Sequence, residues 1–410
     1  MKCKCKMAAA FLLILTLLVP LSLSCGGGGG KGVTITIGEI TDLTGPGAPA
    51  LIPLYYAVGD AASYYNDEGL IPGVKIKVVT YDMATDFARN IPGYDWVRQR
   101  GAKVIITLFV ETAETIKPFA ERDRVPLAAL GTSMTLVESP GWVFSFNCPC
   151  RYETKTLLKW ISEKHWDYTK GVPKIGFVDW RGLYAEEAER ATSEYCQAHP
   201  DQFQWAGGYL PPIGAMTWGG EVRKLKDCDY IVRGSGGPAI GAFIKEFRSR
   251  GFTATFIGAS AMASFRGLLV DMCGWEALDG ALTTSVCPWW NEPSPVVDMA
   301  KELLHRYHPG QAEEMIYAGS GYLGGFHNVY AIFEILKRAI EEVGAENFDG
   351  QAFYNAAINY TTTSALWKGY PRWGFSQTKR CLVDQVQVYE WSAEAEDLVR
   401  VSDWLPFVTE

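Results

Sequence analysis

Histidine is scarce in this chain, with 5 residues among 410, and positive charge is in deficit: 38 Lys and Arg face 46 Asp and Glu, a formal net charge of -8. The balance becomes more negative still if Lys2, Lys4 and Lys6 leave with a leader. An acidic chain argues against nucleic acid as a partner, because phosphate backbones are held by clustered cations. The apolar run from Met7 to Val19 falls short of the ~20 residues that a membrane-spanning helix needs. No G-x-S-x-G elbow, H-E-x-x-H pair or paired C-x-x-C set occurs, so neither those hydrolase motifs nor a structural zinc site is signalled. Catalytic groups can also be scattered through a sequence, so an exported α/β enzyme stays open as an alternative.

What is present suits a folded protein of two ordinary domains: 48% hydrophobic and 20% charged residues, with 14 Trp and 20 Tyr. Lys2, Lys4 and Lys6 precede the apolar run, and Leu21 to Cys25 follow it, which is the order of an export signal. Cys25 and the glycines 26–30 match a bacterial lipoprotein junction, with Cys25 lipidated and the glycines as a tether. Ser22 stands where the usual pattern has Leu, and an ordinary cleaved signal is the other reading. Beyond Cys25 seven cysteines remain, an odd number. Cys196–Cys228 and Cys273–Cys287 are plausible bridges, but spacing leaves the connectivity open.

The stretch from Val33 to Asp82 organises the chain. Val33, Ile35 and Ile37 alternate with Thr34 and Thr36, which predicts a strand with one buried face. Leu51, Leu54, Tyr55, Val58, Ala62 and Tyr65 recur at helical spacing, and Val74, Ile76 and Val78 alternate again. A strand–helix–strand unit implies a parallel sheet, whose ligands bind beyond the strands' carboxyl ends. The loop Asp42 to Ala48 lies there. Further strands are expected at Val104–Phe109, Val125–Leu130, Val143–Phe146, Lys174–Val178, Gln204–Leu210, Tyr230–Val232, Thr255–Ile257, Ala281–Val286 and Val386–Trp391. Helices are expected at Tyr94–Arg100, Glu111–Arg122, Ala185–Gln197, Val296–Tyr307 and Val329–Val343. Gly319 to Gly324 satisfies G-x-G-x-x-G, but Glu313 to Tyr317 before it makes a poor strand, so a loop opening a helix is expected rather than a dinucleotide site. The glycine turn 234–237 lacks the Lys and Ser/Thr of a phosphate loop. His305 and His308 read as a solvent-facing helix end rather than half a metal site.

Asn66-Asp67-Glu68-Gly69-Leu70-Ile71-Pro72-Gly73 resembles the N-x-x-G-x-I-x-G turn of bacterial solute-binding proteins of ABC transporters, the branched-chain amino-acid (leucine-binding) type. The strand–loop–helix at Ile105–Phe119, the Val125-Pro126 strand entry and the aromatic loop at Lys174–Tyr184 agree, so the resemblance runs from Val33 to the end. It implies an α/β fold of the type I periplasmic-binding-protein kind: two lobes, each a mostly parallel sheet flanked by helices, with crossings near Cys148, Cys287 and Asp384. The implied division is 1–24 signal, 25–32 anchor and tether, 33–147 plus 288–384 lobe one, and 148–287 plus 385–410 lobe two.

The resemblance also implies a function. A small ligand with a carboxylate closes the two lobes and is passed to a membrane permease. The protein would be an extracytoplasmic monomer held at the membrane surface by its lipid, without cofactor, metal or catalysis. A sensory ligand-binding module is the other reading. Thr112, Thr132 and Ser133 are the implied carboxylate contacts, Tyr184 the aromatic lid, and Glu111 and Ser260 further ligand contacts. Two departures stand out. The family's acid for a ligand amine would follow Thr255–Gly258, where this chain has Ala259-Ser260-Ala261, and the aromatic usual at the glycine turn is replaced by Gly236 or Gly237. The missing acid points to a ligand without a free α-amine, such as an organic or aromatic acid or an amide, unless Asp179, Glu111 or Glu292 substitutes from another loop. Trp289, Trp290, Tyr322 and Phe326 are weaker aromatic candidates, more in keeping with core packing.

Overall fold

A computed structural model describes residues 32–138, 141–234 and 237–410. The leader, Cys25 and the tether through residue 31 lie outside the described residues, as do Ser235 and Gly236 of the glycine turn. The strands are, in order, β1 (Val33–Thr41), β2 (Val74–Asp82), β3 (Ala102–Thr107), β4 (Leu127–Ala129), β5 (Val143–Ser145), β6 (Lys174–Val178), β7 (Gln204–Tyr209), β8 (Tyr230–Arg233), β9 (Thr255–Gly258), β10 (Leu282–Ser285), β11 (Gln385–Ser392), β12 (Asp397–Arg400) and β13 (Leu405–Pro406). They form two sheets. The first runs β2-β1-β3-β4-β5, parallel throughout. The second runs β12-β11-β10-β9-β8-β6-β7 with β13 on β11, and is parallel from β10 to β7 and antiparallel around β11. Strand order reverses beside β1 in one sheet and beside β6 in the other, and such switch points open crevices for ligands.

The turn after the first helix shows why its residues stand where they do. Asn66 Nδ2 donates to Ile76 O at 2.9 Å and Asn66 Oδ1 accepts from Ile76 N–H at 2.8 Å, so one amide ties the helix Ala48–Asp67 to β2. Gly69 and Gly73 sit at φ of +60° and +73°, left-handed positions that favour glycine.

Helices cover both faces of each sheet. Ile35 and Ile37 of β1 face the helices Ala48–Asp67 and Gly321–Val343, whereas Ile40 packs with Tyr94, Val97 and Ile116 on the opposite side. The alternation had implied a strand with one buried face. In the event β1 is buried on both faces from Ile35 onward, because it is central and helices lie above and below it. Ile175, Phe177, Tyr230 and Val232 of the second sheet pack with the helices Cys150–Trp160 and Leu183–Ala198, while Ile231 and Phe256 turn to the helix Pro238–Ser249.

Glu313 to Tyr317, expected to make a poor strand, lies within a helix, Ala312–Ala318, and the helix that the glycine loop was expected to open starts inside it at Gly321, before the Val329 expected. Its early glycines hid that start: a Cβ on Gly325 would stand 2.4 Å from Leu54 Cδ1, and one on Gly321 3.0 Å from Ala50 O. Glycine here lets two helices touch. The chain passes between the sheets beside β5, where Ser145 N–H donates to Arg380 O and Leu382 N–H to Ser145 O, both at 2.8 Å. All seven described cysteines are free thiols, so neither plausible bridge forms. Cys273 donates to Gly241 O at 3.2 Å instead, and burial pushes the Cys196 and Cys287 thiols up to about 12.

Candidate ligand site

Between the sheets, at the carboxyl ends of their strands, lies a cavity of about 260 Å³. Leu51, Leu54, Phe109 and Leu130 wall it on the side of the first sheet, and Tyr184, Phe265, Val286 and Cys287 on the side of the second. Gly47 of the loop after β1 reaches it. That loop is organised by buried Asp42, which accepts from the N–H groups of Thr44, Gly45 and Gly47 at 3.2, 2.5 and 2.9 Å.

Of the sequence candidates, Glu111, Tyr184 and Ser260 line the cavity, and Thr112, Thr132 and Ser133 do not. Thr112 is wholly buried and gives its hydroxyl to Asn90 Oδ1 at 2.9 Å. Ser133 donates to Glu114 Oε1 at 2.5 Å, and Thr132 lies against the Ser133 carbonyl at 3.5 Å. The expectation placed all three correctly at strand ends but not their side chains. Successive residues of a helix point about 100° apart, so with Glu111 facing the cavity Thr112 faces the core.

Glu111 also bonds across the cleft. Its Oε1 accepts from Leu183 N–H at 2.9 Å, which joins the first turn of the helix Val110–Asp123 to that of Leu183–Ala198. Two positive helix ends thereby share one carboxylate. Met134 N–H donates to Glu187 Oε1 at 3.0 Å nearby, and across the cleft Ser264 Oγ meets Ser320 Oγ at 3.0 Å. Elements of the two sheets are thus hydrogen-bonded around the cavity's rim.

Sequence reasoning missed three polar groups. Asn147 and Asn328 line the cavity with their oxygens already engaged, by Cys148 N–H at 2.9 Å and His327 Nδ1 at 3.1 Å. Burial pushes His327 down to about 4, so the ring is neutral at pH 7. The third is Glu153, 1% exposed, which accepts from Ser260 N–H at 2.8 Å, Ser260 Oγ at 3.0 Å, Cys148 Sγ at 3.2 Å and Thr284 Oγ1. Burial raises its pKa and these donors lower it, with burial the larger effect. An acid therefore stands behind Ser260 although none follows β9 in sequence.

No Lys or Arg lines the cavity among the described residues. Arg233, at the end of β8, is buried; desolvation pulls its pKa down to about 10, against the attraction of Asp179, so it stays a cation. The other motifs resolve as packing. Trp289, Trp290, Tyr322 and Phe326 are core residues, and Tyr322 donates to Asp60 at 2.7 Å. His308 is not solvent-facing as expected but half-buried, 2.8 Å from Asp60 and beside the Tyr56 ring. No group of three or more His, Cys, Asp or Glu able to hold a metal occurs among the described residues.

This architecture recurs in known structures. A branched-chain amino-acid ABC transporter protein from Thermus thermophilus with bound valine superimposes with a TM-score of 0.79 at 17% identity, over 91% of this chain and 96% of that one. A fatty acid ABC transporter substrate-binding protein from Thermomonospora curvata gives 0.78 at 17% identity, over 92% and 94%. A solute-binding protein from R. palustris in complex with 4-hydroxybenzoate gives 0.74 at 16% identity, over 92% and 97%. No curated protein matches the sequence. The family model for periplasmic binding proteins matches residues 34–396, nearly the whole of the described fold. With two mostly parallel sheets meeting at an apolar cavity, the chain belongs to the periplasmic binding protein family.

Proposed function

We propose that this protein is the extracytoplasmic receptor of an ABC importer, which binds a small, largely apolar ligand between its lobes and delivers it to the permease. The observation that carries the reading is the cavity itself: about 260 Å³, walled by apolar side chains at both switch points, and too small for a drug-sized molecule. The lobes are taken as 33–147 plus 288–384 and 148–287 plus 385–410, closing by rotation about the three passages. The helix Ala312–Ala318 leans on the helix Arg266–Cys273 of the second lobe.

A ligand carboxylate or amide carbonyl would sit at the amino end of the helix Val110–Asp123, where first-turn N–H groups have no intrahelical partner and the dipole favours an anion. Backbone thus takes the role first given to Thr112, Thr132 and Ser133. Tyr184 closes the other side. With no acid after β9, and with Glu111 and Glu153 each already holding donors of this chain, the preferred ligand lacks a free α-amine: an organic or aromatic acid, or an amide, rather than a branched-chain amino acid. The protein is a monomer, anchored at the membrane by lipid on Cys25.

Mass spectrometry of small molecules released from the purified, denatured protein tests the reading. A carboxylic acid or amide of small size is the expected finding; stoichiometric recovery of a nucleotide or sugar would refute it. Calorimetry of leucine against its deaminated keto acid checks the amine, with tighter binding of the keto acid expected. Lipid on Cys25 in the membrane-extracted protein checks the anchor.

A further inference from the structure

We infer that Glu153 fixes the hydroxyl of Ser260 as a hydrogen-bond acceptor toward the cavity, so that this wall selects ligands presenting a hydroxyl or amide N–H there. The inference rests on the reading of the cavity as a ligand site. Glu153 belongs to the helix Cys150–Trp160, Ser260 follows β9, and Thr284 lies on β10, so three elements of the second sheet meet at one carboxyl group.

The partners around Glu153 set the direction of the Ser260 hydroxyl. A carboxylate offers about four lone-pair sites and no donor. Glu153 has four donors on it: Ser260 N–H and Thr284 Oγ1 on Oε2, and Ser260 Oγ and Cys148 Sγ on Oε1. Burial favours a proton on this carboxyl, and one carried on Oε2 would be donated to Thr284 Oγ1 and leave Ser260 Oγ donating to Oε1. Ser260 has a single hydroxyl hydrogen, and at 3.0 Å from Glu153 Oε1 it is directed inward. What Ser260 Oγ then offers the cavity it lines is lone pairs.

The other serines of the wall are occupied. Ser264 and Ser320 bond each other at 3.0 Å, and Ser285 Oγ donates to Cys287 O at 2.7 Å and accepts from Cys287 N–H at 3.2 Å. Among these serines Ser260 is the one whose hydroxyl hydrogen is held by a buried carboxylate, which leaves its lone pairs to the cavity. A ligand with only an ether or carbonyl oxygen at that place would set lone pair against lone pair in a closed, mostly apolar site. Sites built to bond a ligand hydroxyl discriminate strongly against analogues without it, because their buried group is left unpaired. Glu153 is a positioning residue, since it acts on the ligand through Ser260.

The test uses matched probes that differ only in a blocked donor: 4-hydroxybenzamide against 4-methoxybenzamide, and isovaleramide against N,N-dimethylisovaleramide. Binding to the full-length protein is measured by calorimetry. Wild type should bind the donor-bearing member roughly ten- to a hundredfold tighter in at least one pair, the range expected for one unpaired buried group. In Glu153→Gln the side-chain NH2 can donate to Ser260 Oγ, which turns the hydroxyl hydrogen into the cavity, so the preference should vanish or invert. Glu153→Asp should restore it, and Ser260→Ala should abolish it with Glu153 intact. Thermal melts check that the variants fold, and a purely structural role would weaken both members of a pair equally. If wild type binds both members equally, or keeps its preference in Glu153→Gln or Ser260→Ala, the inference is overturned and the cavity reading stands. If no probe binds wild type at all, the reading of the cavity as a site for small amides fails, and the inference falls with it.

Discussion

Glu39 lies toward the carboxyl end of β1, 1% exposed, with Oε2 bonded to Thr80 at 2.9 Å and Oε1 without a partner. Burial raises its pKa from 4.5 to about 8, and the Thr80 hydroxyl only partly offsets this. The native state thus holds a proton that the unfolded chain releases near 4.5. Stability from this group is fully present below that value and is lost as pH rises through about 8. Each pH unit in the window costs about 1.4 kcal/mol, so between pH 4 and pH 7 the wild type should lose roughly 3 kcal/mol through this one residue. Glu39→Gln keeps the shape and an acceptor for Thr80 but has no proton to lose. Urea unfolding of both proteins at pH 4, 5.5, 7 and 8.5 isolates the effect, because other titrating groups cancel in the difference. The variant should be close to wild type at pH 4 and more stable by roughly 3 kcal/mol at pH 7. A difference that does not change with pH would refute the argument and mean that Glu39 is ionised in the native state.

Glu111→Ala removes the carboxylate that Leu183 N–H donates to, so the ligand-free protein should populate a more open form, visible as a larger radius of gyration in X-ray scattering. An unchanged radius would show that the other rim contacts suffice. Thr112→Ala should leave ligand affinity within about twofold while lowering stability by roughly 1 kcal/mol, since its hydroxyl serves Asn90 rather than the cavity. A large loss of affinity would return Thr112 to the binding site. Asn66→Ala leaves both backbone groups of Ile76 without their partner and should cost about 1–3 kcal/mol in chemical unfolding. Gly325→Val pushes methyl groups into Leu54 and the cavity, so it should weaken ligand binding and destabilise by roughly 1–3 kcal/mol.

The alternation of Val33, Ile35 and Ile37, the helical stripe from Leu51 to Tyr65 and the return at Val74 determined the element order and hence the parallel sheet, because side-chain periodicity is a local property of the backbone. The turn at Asn66 was equally legible, since a side-chain amide that bonds a strand ten residues on needs its glycines at fixed offsets. The sequence also placed Glu111, Tyr184 and Ser260 beyond the carboxyl ends of strands, from where they reach the cavity. It could not aim Thr112, whose direction depends on the helix's rotation against the sheet, nor show that the helix expected from Val329 reaches back to Gly321, whose glycines look like a loop until Leu54 is seen against them. Least of all could it join Glu153 to Ser260 and Thr284, 107 and 131 residues away. A periodic pattern is written in neighbouring residues, but a buried carboxylate finds its donors only when distant strands and helices are brought together in three dimensions. That is why the fold could be read from the sequence, while the polarity of the cavity was decided by the tertiary structure alone.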